Sequence, residues 1–230
     1  MKDALLAWTL FALVAGCGIP RDPEGTLERV ADGTMRVGIM ERPPWSSFEE
    51  GDPSGVEIDL IQGFAESIDA DIEWFEGAEA ELLAALEHRE LDLVIGGLTV
   101  DDPWGQIVTF TQPYAKVATL VGVQPGEPPP EEIDGVEVAV EPGSELPALV
   151  RSAGGIPVIL EDLSGASGPV AAEEWRIEVL GLVPTDIVLD EAEHVVAVPV
   201  GENAWLVRLE RYLGDRAASV DELLREHAVA

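Results

Sequence analysis

Apolar and polar positions in the first half of the chain alternate between strand spacing and helix spacing. Residues 35–40 alternate as a β-strand does, and the chain then breaks at Pro43-Pro44. Apolar residues recur at helical spacing up to about Ile68. The predicted elements that follow are a strand over 72–75, a helix over 80–88 and a buried strand, Leu93-Val94-Ile95. This order of strands and helices predicts a parallel sheet with helices packed on it.

A second series of apolar runs begins at residue 117. Residues 117–123 predict a strand, and a proline-rich stretch, 125–130, interrupts the chain after it. The remaining predicted elements are strands over 136–140, 158–160 and 187–189, the last of them buried, and helices over 145–151 and from 201 onward. The pattern therefore predicts a second α/β unit, followed by C-terminal helices.

The first 33 residues differ from the rest of the chain. Residues 4–16 are apolar, but the stretch is too short to span a bilayer as a mature helix. Val14-Ala15-Gly16-Cys17 resembles a lipobox, which implies a signal peptide over 1–16, cleavage before Cys17 and lipid attachment to that cysteine. An ordinary signal peptide with a chance cysteine is the alternative. Residues 17–33 are polar and rich in Pro, Gly and Glu, so we expect them to form a tether.

The charge of the chain excludes several classes of partner. Its 230 residues contain 13 Lys and Arg against 45 Asp and Glu, a formal net charge of −32. Such a surface repels nucleic acid and anionic lipid, so we expect neither as a partner. The acidity indicates either a heavily solvated surface or attraction of a cationic ligand. Acidic pairs such as Asp69 and Asp71 lack the rest of a calcium loop, and the sequence predicts no metal and no cofactor.

Residues 91–114, LDLVIGGLTVDDPWGQIVTFTQPY, combine a buried strand, a Gly-Gly turn and a threonine hydroxyl just past the strand end. They resemble the signature of the family 3 extracellular solute-binding proteins, the receptors of amino-acid ABC transporters, at Asp92, Gly97, Thr99, Val108, Phe110, Pro113 and Tyr114. The resemblance implies an α/β fold, the two-lobed periplasmic-binding-protein fold of the second type, with mixed, mostly parallel sheets and flanking helices. The implied lobes are residues 34–119 with 196–230, and residues 120–195.

The resemblance also implies which residues of the first lobe face a ligand. It places the aromatic ring of Trp45 against the ligand, together with Gly97 and Thr99 at the end of the central strand. The family usually has an arginine five residues after the threonine, which grips the ligand's carboxylate, and this chain has Trp104 there. Arg42 is the nearby cation that could take over the carboxylate.

In the second lobe, the resemblance implies two further contacts. A glycine–serine loop, Gly143-Ser144, would present backbone N–H groups and a hydroxyl to the ligand. The last aspartate of a D-A-V-x-x-D element holds the ligand's amino group in the family, and here that place falls on Asp190 or Glu191.

The function implied is capture of a small polar solute, amino-acid-like or an amine, by a lipid-anchored monomer outside the cytoplasmic membrane. Its partners would be the ligand and ABC permease subunits, with a lipid anchor as the sole attachment to the membrane. Because tryptophan cannot imitate an arginine fork, we expect ordinary α-amino acids to bind poorly and an amine or betaine-like solute to bind better. The alternatives are a ligand-sensing lipoprotein without transport and, less favoured, a dehydratase-like enzyme; we expect no enzymatic activity.

Overall fold

The computed structural model describes residues 21–49 and 52–227. The strands of the first sheet are β1 (Thr34–Ile39), β4 (Asp71–Glu76), β5 (Leu93–Ile95), β6 (Thr109–Phe110) and β12 (Ala197–Val198). Those of the second sheet are β7 (Ala115–Val123), β8 (Glu137–Val140), β9 (Ile156–Ile159), β10 (Val170–Glu173) and β11 (Val183–His194). A small hairpin consists of β2 (Ser47–Glu49) and β3 (Asp52–Ser54).

The helices are distributed along the whole described chain. They are α1 (Thr26–Val30), α2 (Val56–Glu66), α3 (Glu79–Glu87), α4 (Leu146–Ser152), α5 (Glu174–Val179), α6 (Asn203–Arg216) and α7 (Val220–His227), with short 3₁₀ helices at Pro103–Gln106 and Ala217–Ser219. None of the helices in the described ranges is long and apolar enough to cross a membrane.

The first sheet has the strand order β4-β1-β5-β12-β6. Its strands β4, β1 and β5 are parallel, whereas β12 runs antiparallel to both β5 and β6. One face of the sheet packs on α2 and α6 through Phe64 and Trp205, and the other packs on α3 through Leu83 and Leu86. Along the chain, the parallel strands β1, β4 and β5 are separated by the helices α2 and α3, which confirms the strand–helix alternation predicted for the first half of the chain. Helices cover both faces of the sheet, as parallel strands that are buried on both faces require.

The second sheet has the order β11-β7-β10-β8-β9, in which β8 lies parallel to β9 and β10, and β7 lies antiparallel to β10 and β11. The long strands β7 and β11 lie side by side from Ala115↔His194 to Val183↔Val123. Both continue directly into the first sheet, since β7 follows β6 and β11 precedes β12. The chain therefore crosses between the two sheets twice, as the resemblance implied.

Two details of the sequence prediction are wrong. The strand expected to be buried over 187–189 is part of the edge strand β11, where apolar and polar residues alternate and Val188 is 52% exposed. The tether expected over 17–33 is also wrong from Asp22 on, because α1 is part of the folded body and buries Thr26 and Val30. The signal peptide and Cys17 lie outside the described residues.

The packing of α1 is explained by one carboxylate. Oδ1 of Asp22 accepts the backbone N–H groups of Ala204 and Trp205 at 2.6 and 3.0 Å, which are free donors at the start of α6. Its Oδ2 accepts the N–H of Leu27 in α1 at 2.9 Å. Asp22 therefore joins the start of the described chain to the C-terminal helices.

Candidate functional site

A buried carboxylate, Glu57, lies beneath the ends of the parallel strands of the first sheet. Its Oε2 accepts the N–H groups of Gly96 and Gly97 at 2.7 and 2.9 Å, and its Oε1 accepts the hydroxyl of Tyr114 at 2.6 Å. The two glycines have φ angles of 146° and 63°, which a residue with a side chain adopts only with strain. Burial raises the pKa of Glu57 to about 7, although the three hydrogen bonds act in the opposite direction.

Trp45 and His194 stack beside this carboxylate. Their ring centroids are 3.8 Å apart with an interplanar angle of 27°, and Trp45 is only 6% exposed. The structure therefore places Trp45 in the core, whereas the resemblance placed it against the ligand. Burial lowers the pKa of His194 to about 4, and its Nδ1 has no hydrogen-bond partner among the described residues.

Three of the predicted first-lobe residues, Trp45, Gly97 and Thr99, lie around Glu57 and His194. Gly97 donates to Glu57, and an alanine Cβ there would lie 2.9 Å from the Trp45 ring. Thr99 pairs with His194 through an isolated β-bridge, and its N–H donates to Oδ2 of Asp102 at 2.7 Å. These contacts link Trp45, Gly97 and Thr99 into one packed layer.

Arg42 and Trp104 are joined by one carboxylate, Glu79 of α3. The guanidinium Nη2 of Arg42 donates to Oε2 of Glu79 at 2.8 Å, and the indole Nε1 of Trp104 donates to Oε1. Each oxygen of Glu79 therefore accepts one of the two donors. The cation that sequence reasoning assigned to the ligand's carboxylate already has an acid partner.

The four residues predicted in the second lobe are dispersed. Gly143 and Ser144 follow β8 and are exposed, and the Ser144 hydroxyl donates to the carbonyl of Glu141 at 3.1 Å. Asp190 and Glu191 lie on β11 and are exposed, and Glu191 pairs with Lys116 at 3.0 Å. The structure does not bring Asp190 or Glu191 to the ends of the parallel strands.

A cavity of about 270 Å³, here called the central cavity, lies where the two sheets meet. It is lined by Pro43 and Pro44, which follow β1, and by Glu141, Glu173, Trp175, Arg176 and His227. Glu141 follows β8, and Glu173 is the last residue of β10. The carboxyl ends of parallel strands are where ligands bind in open α/β sheets, so this cavity is the candidate site.

The lining of the central cavity is strongly polar. Burial raises the pKa of Glu173, and the nearby carboxylate of Glu141 adds to this, whereas the positive charge of Arg176 lowers it. Arg176 pairs with Glu141 through Nη2. The Nε–H of Arg176 and the indole Nε1–H of Trp175 are buried donors without an acceptor in the described part of the chain. The lining of the cavity therefore combines two carboxylates, Glu141 and Glu173, with the guanidinium of Arg176.

Sequence reasoning missed Glu173, Trp175 and Arg176. The signal was present, since Val170-Ala171-Ala172-Glu173 is an apolar strand that ends in an acid and is followed at once by a helix. The small alanine side chains made the strand inconspicuous beside the larger apolar run at 187–189.

Comparisons with known proteins agree with this architecture. The family model of the bacterial extracellular solute-binding proteins, family 3, matches residues 35–226. The L-cystine-binding protein TcyJ of Escherichia coli (strain K12) is 25% identical over 228 residues, covering 96% of this chain and 74% of that protein. The membrane-bound lytic murein transglycosylase F 1 of Alkalilimnicola ehrlichii is 31% identical over 138 residues, covering 57% of this chain but only 26% of that protein.

Solved structures show the same fold. An ancestral cationic amino acid solute-binding protein has a TM-score of 0.69 and 18% sequence identity, with 88% of this chain and 97% of that chain covered. The prediction of an α/β, two-lobed periplasmic-binding-protein fold of the second type is confirmed.

Proposed function

The chain belongs to the bacterial extracellular solute-binding proteins of family 3, and from that premise we propose that it captures a small amino-acid-like or amine solute in the central cavity and delivers it to an ABC permease. Relatives with amino-acid ligands in their names support this ligand class: the cystine-binding protein and the ancestral cationic amino acid binder. Binding without catalysis is the proposed activity, although the relatives include a lytic transglycosylase.

One observation carries the proposal: Glu141 after β8, Glu173 at the end of β10 and Arg176 in α5 converge with Pro43 and Pro44 on a single cavity between the sheets. The volume of about 270 Å³ suits a small solute and not a polymer. Two long strands, β7 and β11, lie side by side and connect the lobes, and their ends are natural hinges for closure around a ligand.

The location of the protein is also part of the proposal. We propose that it is extracytoplasmic, that Cys17 carries a lipid, and that this anchor attaches a monomer to the membrane. The support is the lipobox-like sequence over 14–17, outside the described residues. Mass spectrometry of the mature N-terminus tests this, because a lipid-modified Cys17 is expected there. An unmodified cysteine, or a mature chain that retains residues 1–16, contradicts it.

Calorimetry tests the proposed binding directly. The purified chain is titrated with the twenty amino acids, L-cystine, polyamines and betaines, and one or a few of them are expected to bind with micromolar or tighter affinity. Glu173→Gln should weaken binding of a ligand with an amino group, because Glu173 is the buried acid of the cavity. Absence of binding across the panel by a folded protein contradicts the proposed function.

A ligand-sensing lipoprotein that has lost transport is the second candidate. The observation that favours it is Trp104, which stands where the family usually has an arginine and is held by Glu79. Transport assays with a permease separate the two candidates, since a sensor binds its ligand but supports no uptake.

A further inference from the structure

We propose that helices α5 and α7 form a latch between the two lobes, in which the buried side chain of Trp175 and the ion pair of Glu178 with Arg225 hold the cleft closed when no ligand is bound. The proposal rests on the proposed function, because it concerns the hinge closure by which the protein would capture its ligand. It gives a conformational role to Glu178 and Arg225, which lie outside the lining of the central cavity.

The two helices of the latch pack on different sheets. Helix α5 packs on β7, β10 and β11 of the second sheet, whereas α7 packs on α2 beside the first sheet. The two helices also contact each other. A rotation of the second sheet about the ends of β7 and β11 would carry α5 with it, so the contact between α5 and α7 must change during a hinge motion.

Trp175 forms the apolar part of the latch. Its side chain is 5% exposed and belongs to the hydrophobic cluster of the first lobe, which includes Val117 and, from α7, Val220 and Leu224. Of residues 120–195, all of which the structure describes, Trp175 alone belongs to this cluster, and the second sheet has two clusters of its own. Separation of the lobes would expose this large ring to water, which favours the closed arrangement.

An ion pair forms the polar part of the latch. Nε of Arg225 donates to Oε2 of Glu178 at 2.7 Å, and its Nη1 donates to the carbonyl of Asp221, one turn earlier in α7, at 3.1 Å. The hydrogen bond with Glu178, together with the charges of Asp221 and Glu174, raises the pKa of Arg225. One guanidinium therefore lies among acids from both helices. Without its charge, Glu174 and Glu178 of α5 would repel Asp221 of α7.

The latch lies on the cleft side of the hinge. Trp175 of α5 and His227 of α7 both line the central cavity. Trp175 also lines a smaller cavity of about 90 Å³, together with Lys116, Glu178 and Arg225. The contact between α5 and α7 is thus beside the proposed ligand site. Opening this cavity would pull α5 away from α7, so the contact stabilises the closed arrangement.

The pair of Arg225 with Glu178 differs from the other ion pair that links residues 34–119 to residues 120–195. Lys116 and Glu191 pair at 3.0 Å, but they lie on β7 and β11, which are hydrogen-bonded neighbours and stay together during a hinge motion. The formal net charge of −32 makes the two lobes repel each other. An exposed ion pair contributes little by itself, but the open and closed forms of such proteins differ by small free energies. A single cation between the lobes can therefore shift their equilibrium.

Small-angle X-ray scattering of the purified chain without ligand tests the latch. The buffer contains about 0.1 M sodium chloride, which screens long-range repulsion but not contacts of a few ångströms. Arg225→Glu and Glu178→Arg should each increase the radius of gyration, because each places like charges across the contact. The double variant, in which the pair is restored with its polarity reversed, should return most of the way to the wild-type value.

Two further variants separate the latch from general effects of charge. Arg151→Glu makes the same change of charge at an exposed position on α4 of the second lobe, and it should scatter as the wild type does. Trp175→Ala leaves the charges intact and should also increase the radius of gyration, with circular dichroism as the check that it is folded. An equal radius of gyration for the wild type, Arg225→Glu and Glu178→Arg overturns the proposal, as does expansion of Arg151→Glu to the same extent.

Calorimetric titration with L-cystine, L-lysine and L-arginine connects the latch to ligand capture. Arg225→Glu should bind the most tightly bound of the three roughly 3- to 10-fold more weakly than the wild type, because apparent affinity falls with the fraction of molecules in the closed, competent arrangement. Unchanged affinity in a variant that scatters as an expanded particle overturns the role in capture. Absence of binding to the folded wild type counts against the proposed function, whereas the scattering comparison tests the latch without any ligand.

Discussion

At the residue scale, two buried titratable groups, Glu57 and His194, contact the packed layer of Trp45, Gly97 and Thr99, and their pKa values are shifted in opposite directions. Glu57 is raised to about 7 by burial, and His194 is lowered to about 4 by burial. Both shifts favour the neutral form, since desolvation penalises charge of either sign. Three donors to Glu57 would stabilise its charged form, but complete removal from water has the larger effect.

The two shifts have opposite consequences for stability. Between about pH 4.5 and 7 the folded state keeps the Glu57 proton that the unfolded state has lost, so its contribution is complete at low pH and disappears as pH rises. Between about pH 4 and 6.5 the folded state excludes the His194 proton that the unfolded state binds, so its contribution is complete at high pH. Where the windows overlap, the two slopes nearly cancel.

We therefore predict that Glu57→Gln and His194→Gln change the pH dependence of stability in opposite directions. Relative to the wild type, Glu57→Gln should gain on the order of 3 kcal/mol in unfolding free energy as pH rises from about 4.5 to 7. His194→Gln should gain a similar amount relative to the wild type as pH falls from about 6.5 to 4. Urea unfolding at a series of pH values measures both.

Subtracting the unfolding free energy of the wild type at the same pH removes the contribution of all other titratable groups from this comparison. The double variant serves as the control, because its stability profile should again resemble the wild-type profile in the overlap. A Glu57→Gln curve parallel to the wild type at every pH would mean that the three donors keep Glu57 ionised in the folded state.

At the element scale, the fold depends on how α1 attaches to the C-terminal helices. Asp22 accepts three backbone N–H groups, two from the start of α6 and one from α1, and Glu202 accepts the N–H groups of Glu24 and Thr26 at 3.3 and 3.2 Å. Arg89 in turn donates to Glu202 at 2.9 Å. Residues that look like a polar linker in the sequence thus cap and cover the first lobe.

Asp22→Ala should lower the unfolding free energy by about 1–2 kcal/mol, because it removes a helix cap and leaves the N–H groups of Ala204 and Trp205 unpaired. Asp22→Asn should lose less, since one oxygen acceptor remains. Chemical denaturation measures both against Glu28→Ala, an exposed position on α1 that should change little. Equal stability of Asp22→Ala and wild type would show that α1 is only loosely attached, as a tether would be.

The elements that sequence reasoning predicted well are those with large side chains at regular spacing. The strand expected over 35–40 is β1, and the helix expected over 80–88 is α3. Strand β10 was missed because half of its residues are alanine, and β11 was misread because an edge strand alternates between covered and exposed faces. The elements that could be predicted from the sequence are therefore those whose apolar residues are large and regularly spaced.

The candidate site was less predictable than the fold, for a physical reason. The resemblance marked Gly97 and Thr99 because both belong to one continuous motif, although their partners Glu57 and His194 lie elsewhere in the chain. Arg176 and Glu141 are far apart in sequence and meet only because β8 and β10 are adjacent parallel strands. Likewise, the pairing of Arg42 with Glu79 depends on the packing of α3, which no local motif indicates.

At the scale of the whole molecule, the dominant feature is uncompensated negative charge. The chain has 45 acids against 13 Lys and Arg. Seven of those cations, Arg29, Arg36, Arg42, Arg89, Lys116, Arg176 and Arg225, form ion pairs in the described ranges. Most carboxylates therefore repel one another across the surface, which opposes the compact state.

The last prediction concerns the effect of salt on this repulsion. The distance over which charges interact falls from about 30 Å at 10 mM ionic strength to about 10 Å at 0.1 M, so added sodium chloride screens the long-range repulsion first. Pairs that include a buried partner, such as Arg36 and Asp92, are screened much less. The melting temperature at pH 7 should therefore rise over this range, and the rise should shrink near pH 4, where many exposed carboxylates are protonated. Thermal unfolding followed by circular dichroism, with sucrose as a non-ionic control, measures it. A melting temperature that stays flat or falls would mean that the acids are balanced locally, and that the net charge of −32 has little effect on stability.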